Sequence, residues 1–358
     1  LTKKMLTVVV TVLLLLLQSL PAMAEQSAEE LSLNQALQKA LTRSIALRNT
    51  QLDIDKLEIS RDNASFNMNG IVSGYNILED SIMATHKTFF EADINYRLSE
   101  KRLDEQKKQI KAEVTGYYYS ILLAEQDFNI AKEKFALDMI KNSQVASKYK
   151  VGMATQLELL TSENQLKEDK KDIEEKTNAL TKAYTAFNKA IGNEQNARPV
   201  LIDKINYTPV EELDVETMVL KAVNNSYEVW AQQEKAKKAS YVKYYETFYD
   251  IGDYNEAQEK NTLADTKEAI RLQARGYCLD IIDNQKNYAQ YEIKEKQLEE
   301  SLKMATVKYE VGLATKDELD TIKLGLNQTK LAKDSSAVTQ VTSLLKLQRL
   351  TGDLSPTI

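Results

Sequence analysis

The chain has 358 residues, 43% of them hydrophobic and 28% charged, with 47 basic and 53 acidic side chains and a formal net charge of −6. An acidic chain is a poor partner for nucleic acid, and with Cys278 as the only cysteine there is no internal disulfide. His86 is the only histidine and no Gly-x-x-x-x-Gly-Lys loop is present, so the sequence offers no metal-ligand cluster, no cofactor site and little support for an enzyme.

At the N-terminus, Lys3 and Lys4 precede an apolar run from Leu6 to Leu17, followed by Ala22-Met23-Ala24. This is the order of an export signal, with cleavage expected after Ala24. The alternative, an uncleaved anchor, needs about 20 apolar residues, and Gln18 and Pro21 close the run before that. Removal of residues 1–24 takes away two lysines and no acid, so the net charge falls from −6 to −8. Charged or polar residues recur every few positions in the rest of the chain, which leaves no second stretch suited to a membrane helix.

Beyond the signal the dominant pattern is helical. Val114, Tyr117, Ile121, Ala124, Phe128, Ala131 and Phe135 follow steps of three and four, the seam of a helix packed lengthwise on another. Helices are expected at about 33–65, 80–149, 156–192, 214–248, 257–308 and 315–352, the longest measuring roughly 100 Å at 1.5 Å per residue. Residues Phe90 to Arg97 alternate apolar and polar and read either as a strand or as more of the same helix. Two short arms of the first half sum to about the length of its long helix; those of the second half do not.

The chain is a tandem duplication. Gly116, Gly152 and Gly192 recur 160 residues later as Gly276, Gly312 and Gly352, and Gly116-Tyr117 recurs as Gly276-Tyr277. The segment Lys148 to Leu159 matches Lys308 to Leu319 at eight of twelve positions without a gap. Upstream, Lys39-Ala40 and Ser44 match Lys221-Ala222 and Ser226 at an offset of 182. The expected divisions are the signal (1–24), a first helical-hairpin repeat (25–192), a linker (193–213) that holds Pro199 and Pro209, and a second repeat (214–358).

Each repeated turn carries its own instructions. A glycine just past a helix end, Gly152 or Gly312, adopts the left-handed conformation that caps it. Thr155 and Thr315 stand three residues before Glu158 and Glu318, which is a capping box for the returning helix. Tyr117, Tyr118 and Tyr119 are read as packing and rim residues, Trp230 likewise, and His86 as a surface histidine.

With these motifs in place, the chain resembles the TolC family of outer-membrane efflux proteins over nearly all of its length after the signal. The resemblance rests on two hairpins with the tips Val151-Gly152-Met153 and Val311-Gly312-Leu313. It implies an all-α fold of two tandem long hairpins with little or no β, three chains forming a twelve-helix barrel, and a periplasmic adaptor docking at the tips. It implies further an inner-membrane transporter as partner, and an acidic gate for which Asp317, Glu318 and Asp320 are the candidates. The capping role of Glu318 competes with that reading, and a second family acid would fall at Thr321.

The crown departs from the family. There each repeat inserts two membrane strands, each needing about 9–11 residues, whereas the slots here are only Phe66 to Glu79 and Thr247 to Asn255. These loops are apolar and aromatic, so residues 66–79 and 247–255 are expected to touch a membrane or a partner without forming a closed barrel. The resulting expectation is an exported envelope duct. A structural coiled-coil envelope protein without transport activity is the alternative.

Overall fold

A computed structural model describes residues 29–71, 79–210, 212–246 and 248–352. The expected signal at 1–24 and residues 72–78 of the first crown loop lie outside the described residues. The elements are β1 (Glu30–Leu31), α1 (Leu33–Arg43), α2 (Ile45–Ile71), α3 (Glu79–Lys150), α4 (Gln156–Ile191), β2 (Val200–Leu201), α5 (Val215–Asn225), α6 (Tyr227–Val242), a short 3-10 turn (Lys243–Tyr245), α7 (Tyr249–Glu310) and α8 (Lys316–Thr351). Among the described residues the fold is all-α apart from a two-residue parallel pairing of Glu30 with Val200 and Leu31 with Leu201.

The helices form a single layer of four columns. Helices α2 and α4 lie end to end along α3; α3 packs on its other side against α6 and α8; these two in turn pack against α7. Arms of 11, 27 and 36 residues thus flank a helix of 72 in the first repeat, and arms of 11, 16 and 36 flank one of 62 in the second. Without α1 and α5, which leave the columns, each long helix outreaches its end-to-end partners by nine or ten residues, so the two repeats are proportioned alike, contrary to the expected difference between them. The difference lies in the crown, where α7 starts at Tyr249 and not near 257.

Gly252 explains that start. A Cβ there would come within 2.7 Å of the Lys243 Cβ and 2.8 Å of its Cα, so only glycine lets the first turn of α7 lie against the turn before it. Lys243 then donates to Glu256 at 2.8 Å and to Asp253 at 3.3 Å. From Tyr249 onward the expected loop is consequently helix. Similarly α2 continues to Ile71, and Phe90 to Arg97 is helical within α3, which disposes of a strand there.

Each first arm is two helices where the sequence reading had one. Ser44 ends α1, its N–H donating to the Ala40 carbonyl at 3.0 Å, and its hydroxyl accepts from Leu47 N–H at 3.2 Å to begin α2. Ser226 sits at the same place between α5 and α6, its N–H 2.9 Å from the Ala222 carbonyl. The split frees α1 and α5 to leave the columns and cover them at mid-height. There they build two apolar clusters. One gathers Leu33, Ala36, Ala40, Tyr118, Tyr119, Phe187 and Ile191; the other Val219, Ala222, Ile270, Ala274, Cys278, Ile281 and Leu350. Burial pushes the Cys278 thiol up from its ordinary range, which keeps it protonated and inert.

The linker straps the layer together. Asn188 of α4 donates to the Ala197 carbonyl at 2.8 Å. Tyr118 of α3 donates its hydroxyl to the Leu31 carbonyl at 2.9 Å and accepts from Asp203 N–H at 3.1 Å. Gln340 of α8 donates to the Thr208 carbonyl at 3.1 Å, and Gln285 of α7 to that of Val210 at 3.1 Å. Tyr207 stacks on Tyr288 with ring centroids 3.6 Å apart. Residues 193–210 thus cross all four columns on one face, and the buried Tyr118 hydroxyl is pushed up to about 12, chiefly by desolvation.

Candidate functional site: hairpin tips, free edges and crown

The two tips share the bonds that close them. At the end of α3, Met153 N–H donates to the Lys148 carbonyl at 2.8 Å and Gly152 N–H to that of Tyr149 at 3.0 Å. At the end of α7, Leu313 N–H donates to the Lys308 carbonyl at 2.7 Å and Gly312 N–H to that of Tyr309 at 3.0 Å. The pair of bonds is the Schellman closure, which needs a left-handed residue, and Gly152 and Gly312 have φ of +77° and +76°.

Both capping boxes form. Glu158 accepts from Thr155 N–H at 2.6 Å and Glu318 from Thr315 N–H at 3.1 Å, while Thr155 and Thr315 each accept from the N–H of their glutamate at 3.2 Å. The bonds from Thr155 hold the Glu158 carboxyl below its usual range. With the backbone thus occupied, the side chains of the turn have nothing to pack on. Val151, Met153, Val311 and Leu313 are 63–79% exposed.

Gln144 of α3 donates to Asp317 of α8 at 2.8 Å, so both tips share one end of the layer. Of the three acids, Asp317 and Asp320 are half-buried and Glu318 exposed. Asp317 is held by Gln144 and Glu318 by its own N-cap.

Along the free edges the structure reveals residues that the sequence reading passed over. The side of α2 facing α3 is Leu47, Thr50, Ile54, Leu57, Arg61 and Ala64, buried or half-buried in steps of three and four. Ile45, Leu52, Ile59 and Phe66 recur every seven residues on the opposite side and are 59–78% exposed. At the other edge, α7 packs inward through Ile270, Ala274, Tyr277, Ile281 and Tyr288, and outward it shows Leu272, Leu279, Ile293 and Val307, 51–66% exposed, at steps of seven and fourteen with the charged Lys286 and Glu300 between them. The seven-residue spacing was there to be read. What identifies it is which face the neighbouring column leaves bare.

The three tyrosines divide. Tyr118 and Tyr119 are buried under the strap, whereas Tyr117 turns toward an open groove. His86 is half-buried and stacked on Tyr245 at 5.1 Å, and Trp230 is half-buried beneath the Lys101 ammonium at 4.6 Å. At the crown, Phe66, Tyr244, Phe248, Tyr249, Ile251 and Tyr254 are exposed. Among the described residues no helix is long and apolar enough to cross a membrane.

No protein-family model and no curated protein sequence matches the chain. Solved structures do. The Campylobacter jejuni CmeC outer membrane channel superposes with a TM-score of 0.64 at 11% identity, covering 89% of this chain and 85% of that one. The outer membrane protein VceC of Vibrio cholerae gives 0.62 at 12% identity over 89% and 96%. The Neisseria gonorrhoeae MtrE outer membrane channel gives 0.56 at 14% identity over 89% and 88%. The chain has the fold of these channels, the two-hairpin architecture implied by the sequence resemblance.

Proposed function

We propose that three copies of the chain close edge to edge into a ring of twelve helical columns, an export duct of the cell envelope. The observation that carries the reading is the pair of free edges. An outermost helix facing water would bear polar residues opposite its seam, yet α2 and α7 bear Ile45, Leu52, Ile59 and Phe66 and Leu272, Leu279, Ile293 and Val307 there. One four-column layer cannot cover its own two edges. Copies joined head to tail in a closed ring cover every one. The copy number is the one implied by the resemblance of the sequence to the family, and the likeness to outer membrane channels supports placement of the exported chain at the outer membrane and periplasm.

A ring of twelve columns spaced about 10 Å encloses a bore roughly 30 Å across before side chains are counted. Three straps with their α1 and α5 helices would fill it, so the strap face is the outer face. In this duct the tips Val151-Gly152-Met153 and Val311-Gly312-Leu313 are the docking surface for a periplasmic adaptor coupled to an inner-membrane transporter. Asp317, Glu318 and Asp320 stand beside them as an acidic gate. Rings of carboxylates favour cations, and the bond from Gln144 to Asp317 latches the gate to the neighbouring hairpin.

The crown meets a membrane without spanning it as a barrel. In the second repeat, Glu246–Phe248 alone separate the 3-10 turn from α7, and in the first only residues 72–78 separate α2 from α3. Neither gap holds two strands of about 9–11 residues. Exposed Tyr and Phe at this end suit the polar boundary of a bilayer. A structural envelope spacer would use the same edges and crown and is favoured by the short crown alone.

Sedimentation in mild detergent tests the ring. The chain is expected as a trimer, and Leu52→Asp with Ile59→Asp is expected as a monomer of unchanged helicity. A well-folded monomer of the parent chain at micromolar concentration would overturn the duct. Solute release from liposomes bearing the trimer, with protease mapping at Tyr249, separates duct from spacer: a sealed, non-conducting trimer supports the spacer.

A further inference from the structure

The pair Gly116-Tyr117 and its repeat Gly276-Tyr277 have no part in the tips, the edges or the strap. Helix α8 runs between α3 and α7, and the two tyrosines approach it from either side. With Gly116, Thr342, Lys346 and Glu113 they line a groove of about 500 Å³ at mid-height. This groove lies away from the strap. Gly116 is about 200° around α3 from Tyr118, and Thr342 about 200° around α8 from Gln340, the residues that hold the strap on those helices.

We propose that the groove binds a planar aromatic molecule carrying one negative charge. The Tyr117 ring lines one wall for a flat ligand, the Tyr277 ring lies under the Lys346 ammonium on the other, and the absent side chain at Gly116 leaves the floor between them open. The Lys346 ammonium lies 5.8 Å from the centroid of the Tyr277 ring, and no carboxylate pairs with it among the described residues. Its neighbour on the groove wall is the contrast: Arg349 is bonded to Glu105 at 2.6 Å and to Glu228 at 3.2 Å, so its charge is already spent on the protein. Lys346 is the cation left for a ligand.

Glu113 restricts the ligand to a single charge. Its carboxylate accepts from Gln109 at 2.8 Å, which neutralises nothing, so a second anionic group reaching toward it meets like charge. The groove belongs wholly to one chain. The duct reading is needed only to place it on the inner wall, where passing solutes would meet it.

Calorimetric titration of the full chain in mild detergent tests the site, with 2-naphthoate and the cation 2-naphthylmethylammonium as probes. Naphthoate is expected to bind and the cation to bind at least about tenfold more weakly. Lys346→Gln is expected to weaken naphthoate about tenfold, the usual order for losing a charge-assisted contact, and Glu113→Gln to tighten it. Tyr117→Leu should weaken both probes. Equal naphthoate binding by the parent and Lys346→Gln would overturn the site, since adventitious binding on the apolar edges is indifferent to Lys346. A monomer that still binds in a Lys346-dependent way would sink the duct and keep the groove; a trimer without such binding would do the reverse.

Discussion

Arg43 and Asn225 stand 182 residues apart in the chain and at equivalent places in the fold. Each is the last residue of the short helix that covers a column at mid-height, and each caps the return helix of its own repeat. The Arg43 guanidinium donates to the Gly192 carbonyl at 3.1 Å, and the Asn225 amide donates to the Thr351 carbonyl at 2.7 Å. Different side chains thus serve neighbouring helix-end carbonyls, since Gly192 is the repeat partner of Gly352 and Thr351 that of Ile191.

Asn225→Ala is expected to cost about 1 kcal/mol, the usual net value of one hydrogen bond, and Arg43→Ala about 1–2 kcal/mol, because its guanidinium also donates to Asn193 Oδ1 at 3.0 Å. The double variant should lose the sum to within about 0.5 kcal/mol. Urea unfolding of the two single variants and the double checks both statements. Strong non-additivity would mean that the two mid-height clusters unfold as one unit.

At the tips the constraint is backbone conformation alone, since a Cβ at Gly152 or Gly312 would meet nothing within 4 Å. Gly312→Val is therefore expected to cost about 1–2 kcal/mol through the left-handed φ. Gly312→Asn should cost markedly less, because asparagine tolerates that region. Far-ultraviolet dichroism should stay nearly constant. If adaptor cross-linking survives Gly152→Val with Gly312→Val, the tips are not the docking surface.

Gly252 makes the opposite case, for here the φ is ordinary helix and the space is closed. Gly252→Ala would drive a methyl to within 2.7 Å of Lys243 and is expected to destabilise the crown by about 1–3 kcal/mol. Limited proteolysis should show the consequence as faster cleavage around Phe248, with the tips as resistant as before. An alanine variant cut no faster than the parent would refute the close packing.

The Lys243 cluster sets an acid limit on the same end. Hydrogen bonds from the Lys243 and Lys260 ammonium groups hold the Glu256 carboxyl at about 2, far below its ordinary 4.5. A depressed carboxylate contributes stability that is complete above its unfolded value and lost as pH falls through the folded one. The parent should accordingly lose crown stability between about pH 4.5 and 2, and Glu256→Gln should be less stable at pH 6 with a shallower loss across that window. Hydrogen exchange of the α7 amides near Gly252 measures it; parallel slopes in the two proteins would refute the assignment.

Much of this architecture is local in origin and so was legible in the sequence. Gly152 and Gly312 could be placed past helix ends, and Thr155 with Glu158 and Thr315 with Glu318 at helix starts, because a cap is decided within five or six residues by backbone chemistry that every chain obeys. The duplication and the helical period followed from spacing in the same way. Where the local signal was ambiguous the reading went astray. Ser44 and Ser226 were seen as repeat partners but not as breaks, since a serine inside a helical pattern is as compatible with continuation as with capping. Gly252 fell inside the expected 247–255 crown loop, and only its close approach to Lys243 in the fold shows why the helix starts before it.

What only the tertiary structure decided is which face of each helix is covered. The same three-and-four spacing describes a helix with one seam or two, and a sequence does not say that α2 and α7 stand at the ends of a row with Leu52 and Leu279 turned away from it. Nor does it say that Tyr118 holds the strap while Tyr117, one residue back, opens on a groove beside Lys346. Capping is written in neighbours along the chain. Edges, straps and grooves depend on neighbours in space, and those exist only once the four columns have packed.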